Sequence, residues 1–208
     1  MNAANEFARH VAACPLIAIL RGVKPDEAVA IGEALLAEGM RIIEVPLNSP
    51  APFESIKRLV KALGSRAMIG AGTVMSAAEV EELARLGAGL VLSPHFDPAV
   101  VHASRRAGLV SVPGVLSPTE AFGALQAGAS ALKLFPMEII GEKGVRALRA
   151  VLPKDVCLLG VGGIDVTNMR SLKAAGCQGF GLGSSLFKPG MTPEAVAVRG
   201  RHLIAALA

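Results

Sequence analysis

The chain has 208 residues, of which 52% are hydrophobic and 18% are charged, with a formal net charge of +4. This is enough apolar material for one sizeable core and too little chain for two ordinary domains, so we predict a single domain over residues 1–208. The charges are scattered, and with no Trp, no Tyr and only 7 Phe there is little aromatic surface for bases to stack on. The composition argues against a nucleic-acid partner and suits, at most, an anionic small substrate.

The cysteine content and the apolar N-terminal run bear on the compartment. The cysteines are odd in number and match neither a metal-ligand spacing nor a paired framework; they are Cys14, Cys157 and Cys177. We therefore expect reduced thiols and a cytoplasmic protein. The apolar run at 11–20 follows the acidic Glu6 and is interrupted by Pro15, so we interpret it as the first strand rather than as a signal peptide. No stretch reaches the length of a membrane span, and we expect no membrane partner.

Short apolar runs alternate with helical patterns along the chain. The strand-like runs lie at residues 17–20, 41–45, 68–74, 89–93, 109–112, 131–134, 156–161 and 179–182. The helical patterns lie at 28–38, 52–63, 77–86, from 98 onward, after 117, at 165–175 and at 193–207. Ser76 is a predicted N-cap, and Ser117 with Glu120 a predicted capping box. Eight strand-like runs that alternate with helical patterns predict an α/β fold, the single-domain (β/α)₈ TIM barrel.

A doubly wound open sheet is the alternative fold. It would carry a glycine-rich fingerprint at the first strand-to-helix turn, and the segment 20–23 lacks that pattern. In a barrel, the active site forms at the carboxyl ends of the strands. The polar residues that end the apolar runs are therefore the candidate site residues.

Lys133 and Glu44 are the two candidates for catalysis. Lys133 lies in a strand of buried type, where an isolated ammonium either finds a partner or lowers its pKa and becomes an amine nucleophile. The alternative is a strand-end lysine whose charge reaches water. Glu44 ends the second strand and can shuttle protons if its pKa is raised. The alternative for Glu44 is an ion pair with Arg21 or Lys133.

Three further polar residues end other strands. Arg21 has the planar fork that binds a carboxylate or a phosphate. Thr73 can donate one hydrogen bond, although a threonine in a strand is often only a β-former. His95 has no nearby Cys, Asp or second His in the sequence, so we interpret it as a capping or surface group rather than as a general base.

Glycine-rich turns follow the seventh and eighth strands. These are the positions at which barrel enzymes often bind a phosphate through backbone N–H groups. We therefore predict a phosphate site formed by Gly162, Gly163, Gly183 and Ser184. No His/Asp/Glu cluster has ligand spacing, and we predict no required metal. Besides catalysis by an amine nucleophile, two other functions stay open for these residues. One is a barrel that binds a phosphosugar without catalysis, and the other is a metal-dependent lyase.

Five linked motifs resemble one family. They are EVPLNSP at 44–50, IGAGTV at 69–74, LKLFP at 132–136, VGG at 161–163 and GLGS at 181–184. Together they resemble the class I pyruvate aldolases that act on 2-dehydro-3-deoxy-6-phosphogluconate (KDPG) or its galactonate epimer (KDPGal). The resemblance extends from about residue 15 to beyond the last strand.

The resemblance implies a role for each candidate residue. Lys133 would form a Schiff base with pyruvate, so no other cofactor is expected, and Glu44 would be the acid/base. Positions matching Arg21 and Thr73 bind the keto-acid part, and those matching Gly162, Gly163, Gly183 and Ser184 bind the phosphate end. The implied substrate is a phosphorylated 2-keto-3-deoxy sugar acid, the products are pyruvate and glyceraldehyde 3-phosphate, and the implied assembly is a homotrimer.

The galactonate and gluconate branches of this family differ at a few positions. The chain has Asn48 where the gluconate branch typically carries an arginine, and the apolar Val161 where that branch has a threonine. Both features resemble the galactonate branch. Met137 and Glu138 instead resemble the gluconate branch, and activity on 4-hydroxy-2-oxoglutarate stays open. We predict the galactonate epimer as substrate.

Overall fold

The computed structural model describes residues 3–207; residues 1, 2 and 208 of the predicted domain lie outside the described range. Within that range, helices and strands alternate as the sequence predicts. In chain order they are α1 (Ala3–Ala13), β1 (Leu16–Ile19), α2 (Ala28–Ala37), β2 (Ile42–Pro46), α3 (Pro52–Leu63), β3 (Met68–Gly72), α4 (Ala77–Arg85), β4 (Leu90–Leu92), α5 (Pro98–Arg106), β5 (Val110–Val112), β6 (Gly114–Val115), α6 (Pro118–Ala127), β7 (Leu132–Leu134), α7 (Met137–Val151), β8 (Leu158–Val161), α8 (Met169–Ala175), β9 (Gly179–Leu182) and α9 (Pro193–Ala205).

The strands form one parallel sheet that is nearly closed. Its order is β5-β4-β3-β2-β1-β9-β8-β7-β6, and the two outermost segments are separated in the chain only by Pro113. Proline has no N–H to donate to a ladder, but its carbonyl accepts a hydrogen bond from the Lys133 N–H at 3.0 Å. β5 pairs with β4 and β6 with β7. Because β5 and β6 together make one barrel strand, the fold is the predicted (β/α)₈ barrel.

The start of the chain corrects one prediction. The apolar run 11–20 is not a single strand, because its first residues belong to α1 and only Leu16–Ile19 forms β1. Phe7 and Val11 lie one helical turn apart on α1 and are both buried. They pack into the amino-terminal end of the barrel. The apolar last turn of a helix and the following strand merge into one run in the sequence, which is why the pattern did not separate them.

Helix starts agree with the predicted caps. The Ser76 hydroxyl accepts a hydrogen bond from the Glu79 N–H, and the Glu79 carboxylate accepts one from the Ser76 N–H. Ser117 and Glu120 make the same reciprocal pair.

Two other helices differ from the prediction. The predicted helix 165–175 starts only at Met169, because residues 165–168 form a turn. α7 had no predicted counterpart. No described helix is long and apolar enough to cross a bilayer.

Side-chain alternation decides which residues face the barrel interior. Ile17, Ile42 and Leu159 belong to a buried cluster inside the barrel, together with Phe7 of α1. Residues one position further along, such as Ala18, belong to the cluster that packs under the helices. Successive residues of a strand point to opposite faces. The interior therefore has an apolar end beside α1, and its other end lies at the carboxyl ends of the strands.

Candidate active site

A cavity of about 200 Å³ opens at the carboxyl ends of the strands. All nine residues predicted from the sequence line it: Arg21, Glu44, Thr73, Lys133, Val161, Gly162, Gly163, Gly183 and Ser184. These residues come from six different strand ends or the turns that follow them. The barrel therefore brings together residues that are far apart in the sequence.

Lys133 lies on β7 with its side chain inside the barrel. It is two residues beyond Ala131, which belongs to the interior cluster, so both share the inward face. The residue is 6% exposed, and Nζ lies 4.6 Å from the centre of the Phe135 ring. Burial lowers the pKa of Lys133, the positive charge of Arg21 lowers it further, and Glu44 opposes both. A neutral amine is thus available at a lower pH than for a solvated lysine.

Glu44 lies on β2 and shares the inward face with Ile42. The residue is 2% exposed, and burial raises its pKa to about 7, against the opposing effects of Lys133, Arg21 and the Gly72 backbone. Its Oε2 atom is buried and has no hydrogen-bond partner among the described residues. The cations act on Glu44 through space, and the carboxyl is poised to bind or release a proton near neutral pH.

Gly72 and Thr73 make room for this carboxyl group. A Cβ atom at Gly72 would collide with both carboxylate oxygens of Glu44. The next residue, Thr73, has a positive φ of 57°, which is uncommon for a β-branched residue. Backbone strain of this kind persists only where the surroundings impose it. Gly72 was not predicted as a site residue, although its place in the motif at 69–74 was a usable signal.

Arg21 is placed by contacts with the next loop of the barrel. It follows β1, and its Nη1 donates a hydrogen bond to Oδ1 of Asn48, after β2, at 2.5 Å. The N–H of Gly22 donates to the Ser49 hydroxyl at 3.0 Å. The guanidinium lies at the rim of the cavity, with its side chain exposed.

The part of the cavity wall formed by the turns after β8 and β9 consists largely of backbone. Gly162 and Gly163 both have positive φ values, of 100° and 63°. The carbonyl of Gly163 accepts a hydrogen bond from Nδ2 of Asn168 at 2.7 Å, which holds the turn. Gly183 and Ser184 follow the neighbouring strand β9 and begin one helical turn, in which the N–H of Leu186 donates to the Gly183 carbonyl at 2.9 Å. Two glycine-rich turns facing one cavity can bind an anionic group through backbone N–H donors.

Six lining residues were not predicted as site residues: Ile19, Pro94, Phe135, Ile164, Gly181 and Ser185. Pro94 lines the cavity, whereas the neighbouring His95 is exposed and does not, which agrees with its interpretation as a surface group. Phe135 lines it as part of the LKLFP motif. Ser185 lines it as well, and its buried Oγ has no partner in the described chain. Nothing in the sequence distinguished Ser185 from Ser184, because their burial depends on how the turn packs.

No cluster of three or more His, Cys, Asp or Glu side chains suited to a metal ion occurs among residues 3–207. The donor set of the cavity is an amine, one carboxyl, a guanidinium, hydroxyls and backbone N–H groups. The chemistry available from these residues is that of a nucleophilic amine with an acid/base beside it.

Fold and site together place a buried amine and a carboxyl group in one cavity of a (β/α)₈ barrel. The chain belongs to the KDPG and KHG aldolase family, whose family model matches residues 8–196. It is 49% identical to the probable 2-dehydro-3-deoxy-6-phosphogalactonate aldolase of Rhizobium meliloti (strain 1021), over 92% of this chain and 91% of that protein. It is 43% identical to the 2-dehydro-3-deoxy-6-phosphogalactonate aldolase of Escherichia coli (strain K12), over 92% and 94% of the two chains.

Other relatives place the chain within the family. A solved structure described as native KDPGal superimposes with a TM-score of 0.91 at 43% identity, covering 92% of this chain and 93% of that one. The 2-dehydro-3-deoxy-phosphogluconate aldolase of Pseudoalteromonas atlantica (strain T6c / ATCC BAA-1087) is 33% identical over 74% of this chain and 71% of that protein. Similarity is thus higher to the relatives named for the galactonate epimer.

Proposed function

We propose that this protein is a class I aldolase that cleaves 2-dehydro-3-deoxy-6-phosphogalactonate to pyruvate and D-glyceraldehyde 3-phosphate. The observation that carries the proposal is the pairing of a buried Lys133, whose pKa is lowered, with a buried Glu44, whose pKa is about 7, in one cavity. A nucleophilic amine beside a carboxyl that exchanges protons near neutrality is what imine-based cleavage needs.

Lys133 provides the electron sink. Its neutral amine attacks the C2 carbonyl of the keto acid, the resulting carbinolamine takes up one proton and loses water, and a protonated imine links C2 to Nζ. The C3–C4 bond then breaks, and its electron pair moves to C3 and into the imine, forming an enamine. The C4 hydroxyl loses its proton and C4 becomes the aldehyde carbon of glyceraldehyde 3-phosphate. Protonation of the enamine at C3 and addition of water at C2 release pyruvate, the free amine and the proton that was taken up when the imine formed.

Glu44 carries the protons of these steps. As a carboxylate it takes the proton of the C4 hydroxyl, and as a carboxylic acid it returns a proton to C3 of the enamine. One group can do both because a pKa of about 7 leaves both forms populated near neutral pH. The Gly72 backbone lies directly against the carboxyl, which restricts its position.

The rest of the cavity holds the substrate in register. Arg21 binds the C1 carboxylate and Thr73 donates a hydrogen bond to the keto-acid part. The turns at Gly162, Gly163, Gly183 and Ser184 bind the phosphate at C6. Contacts remote from the breaking bond supply binding energy and orientation that the reacting atoms alone would not provide.

The galactonate epimer is supported by one side chain and by the relatives. Val161 is 5% exposed and lines the cavity with an apolar surface, so it cannot donate a hydrogen bond to a substrate hydroxyl. The more similar relatives carry the galactonate name. Met137 and Glu138, which resembled the gluconate branch, do not line this cavity: Met137 is buried in the core and Glu138 is exposed. The gluconate epimer and 4-hydroxy-2-oxoglutarate are the alternative substrates.

Three further features belong to the proposal. The imine formed at Lys133 takes the place of a cofactor, so turnover requires no metal ion. The protein acts in the cytoplasm, where its cysteines stay reduced. It assembles as a homotrimer, which is implied by resemblance to the family. Its partners are therefore small anionic metabolites and its own copies.

The test compares both epimers as substrates of the purified protein, measured by pyruvate release. We expect a higher kcat/KM for the galactonate epimer, unchanged by excess chelator. Borohydride added with pyruvate should leave a reduced three-carbon adduct on Lys133, detected by mass spectrometry of peptides. A binding protein would show no turnover, loss of activity in chelator would indicate a metal-dependent lyase, and absence of the adduct would refute the imine mechanism.

A further inference from the structure

The guanidinium of Arg21 is placed by one residue of a neighbouring loop. Its hydrogen bond to Oδ1 of Asn48, at 2.5 Å, is the one that the Arg21 side chain makes within residues 3–207. The two residues follow β1 and β2, which are paired in the sheet. Asn48 is exposed and does not line the cavity itself.

The backbone beneath Arg21 is fixed separately. The Gly22 N–H donates to the buried Ser49 hydroxyl, and Gly22 has a φ of 84°. A Cβ atom at Gly22 would lie 2.7 Å from Cγ of Pro189, so the turn is packed closely against the loop before α9. The position of the Arg21 Cα atom is thus determined without Asn48. The orientation of the long, flexible Arg21 side chain does depend on Asn48, because no other described residue makes a hydrogen bond to its guanidinium.

We propose that Asn48 is a positioning residue that orients the guanidinium of Arg21 for the carboxylate of the keto acid. This rests on the role given to Arg21 under the proposed function. A guanidinium has five N–H donors in a rigid fork. With one donor used by the neutral acceptor of Asn48, the remaining donors can bind a carboxylate, and the positive charge stays uncompensated.

A neutral acceptor suits this task better than an acid would. A carboxylate at position 48 would pair with Arg21 and compete with the substrate for it. The amide of Asn48 orients the side chain without neutralising it. The charge of Arg21 also acts on Lys133 and Glu44, so a guanidinium that is free to move would weaken its effect on both.

The experiment is a double-mutant cycle with Asn48→Ala, Arg21→Ala and both together. The readouts are the steady-state KM of pyruvate and of glyceraldehyde 3-phosphate in the synthetic direction, and the pyruvate concentration that half-saturates imine trapping by borohydride. For Asn48→Ala we expect both pyruvate values to rise about 10-fold, as for the loss of one charged-group interaction. The KM of glyceraldehyde 3-phosphate should not change, and kcat should fall less than the pyruvate values rise.

The cycle separates this proposal from the one on which it rests. In the Arg21→Ala background, Asn48→Ala should add no further change, because Asn48 acts through Arg21. Asn48→Leu, which removes the acceptor without leaving a gap, should match Asn48→Ala. Unchanged pyruvate affinity in Asn48→Ala, or an equal loss in the Arg21→Ala background, would overturn the positioning role. If Arg21→Ala itself leaves pyruvate affinity unchanged, the carboxylate role of Arg21 is wrong and the positioning role falls with it.

Discussion

The two ends of the barrel interior contrast in what they bury. At the amino-terminal end, Ile17, Ile42 and Met68 pack against Phe7 of α1 in a cluster that is wholly apolar. At the carboxyl end, β2 and β7 bury Glu44 and Lys133 beside a cavity. A buried ionisable group without a hydrogen-bond partner reduces stability, whereas packed apolar side chains increase it. One end therefore contributes stability, and the other carries the chemistry at the expense of stability.

The largest expected effect at the carboxyl end comes from Lys133→Met. This change removes the amine while keeping most of the side-chain volume, so cleavage and borohydride adduct formation should both fall to background. Pyruvate release and peptide mass spectrometry measure the two. The control is Lys143→Met on α7, which changes an exposed lysine and should retain full activity. Residual adduct formation in Lys133→Met would place the nucleophile on another lysine.

Glu44→Gln should lower kcat by about 10²- to 10⁴-fold, the usual contribution of one acid/base group. The kcat/KM of the wild-type protein should fall as the pH is lowered below about 7, because the Glu44 carboxylate is then protonated. A pH profile of wild-type cleavage between pH 5 and 9 checks this, and a flat profile through neutrality would contradict the acid/base role.

The same change should increase stability above neutral pH. The folded-state pKa of Glu44 is raised from 4.5 to about 7, so the stability linked to its protonation is present below pH 4.5 and is lost as pH rises through 7. Glutamine does not ionise. At pH 8 we expect Glu44→Gln to unfold with a free energy higher by on the order of 3 kcal/mol, and at pH 4 with nearly the wild-type value. Denaturant titrations at the two pH values test this; a constant difference would show that ionisation is not its source.

Val161→Thr should shift epimer preference with a smaller effect on overall turnover. Threonine has nearly the shape of valine and adds a hydroxyl that can bond to a substrate hydroxyl. We expect the galactonate-to-gluconate ratio of kcat/KM to fall about 10-fold, as for one hydrogen bond. The matched control, Val161→Ala, removes volume without adding a donor and should leave the ratio nearly unchanged. An equal shift in both variants would attribute specificity to cavity size instead.

The smallest effect on catalysis is expected at the apolar end. Phe7→Ala should lower the free energy of unfolding by about 3–5 kcal/mol, because it leaves a cavity under the barrel. Its kcat/KM at a temperature well below the unfolding transition should match that of the wild type. Phe7→Leu, which keeps more of the volume, should lose less stability. A large fall in kcat/KM for Phe7→Ala would show that the apolar end also contributes to catalysis, contrary to the division proposed between the two ends.

The sequence predicted most of the site because local rules place it. Each candidate ends an apolar run, and in a parallel barrel all strand ends of one kind meet at the same end. That rule alone was enough to bring Arg21, Glu44 and Lys133 into one cavity. The sequence pattern did not predict the boundary between α1 and β1, because an apolar helix face and a buried strand have similar patterns over a few residues.

Side-chain period and chain order were enough to predict the succession of strands, the barrel and the residues at the strand ends, although not the helices α1 and α7. The interactions between these residues depend on the assembled barrel. The pKa of Glu44 is set by burial among residues distant in the chain. Contact with Gly72 restricts the position of its carboxyl group. Asn48 of the next loop makes the hydrogen bond to the Arg21 side chain. Desolvation and hydrogen-bond geometry depend on distances between segments, and no local pattern encodes these.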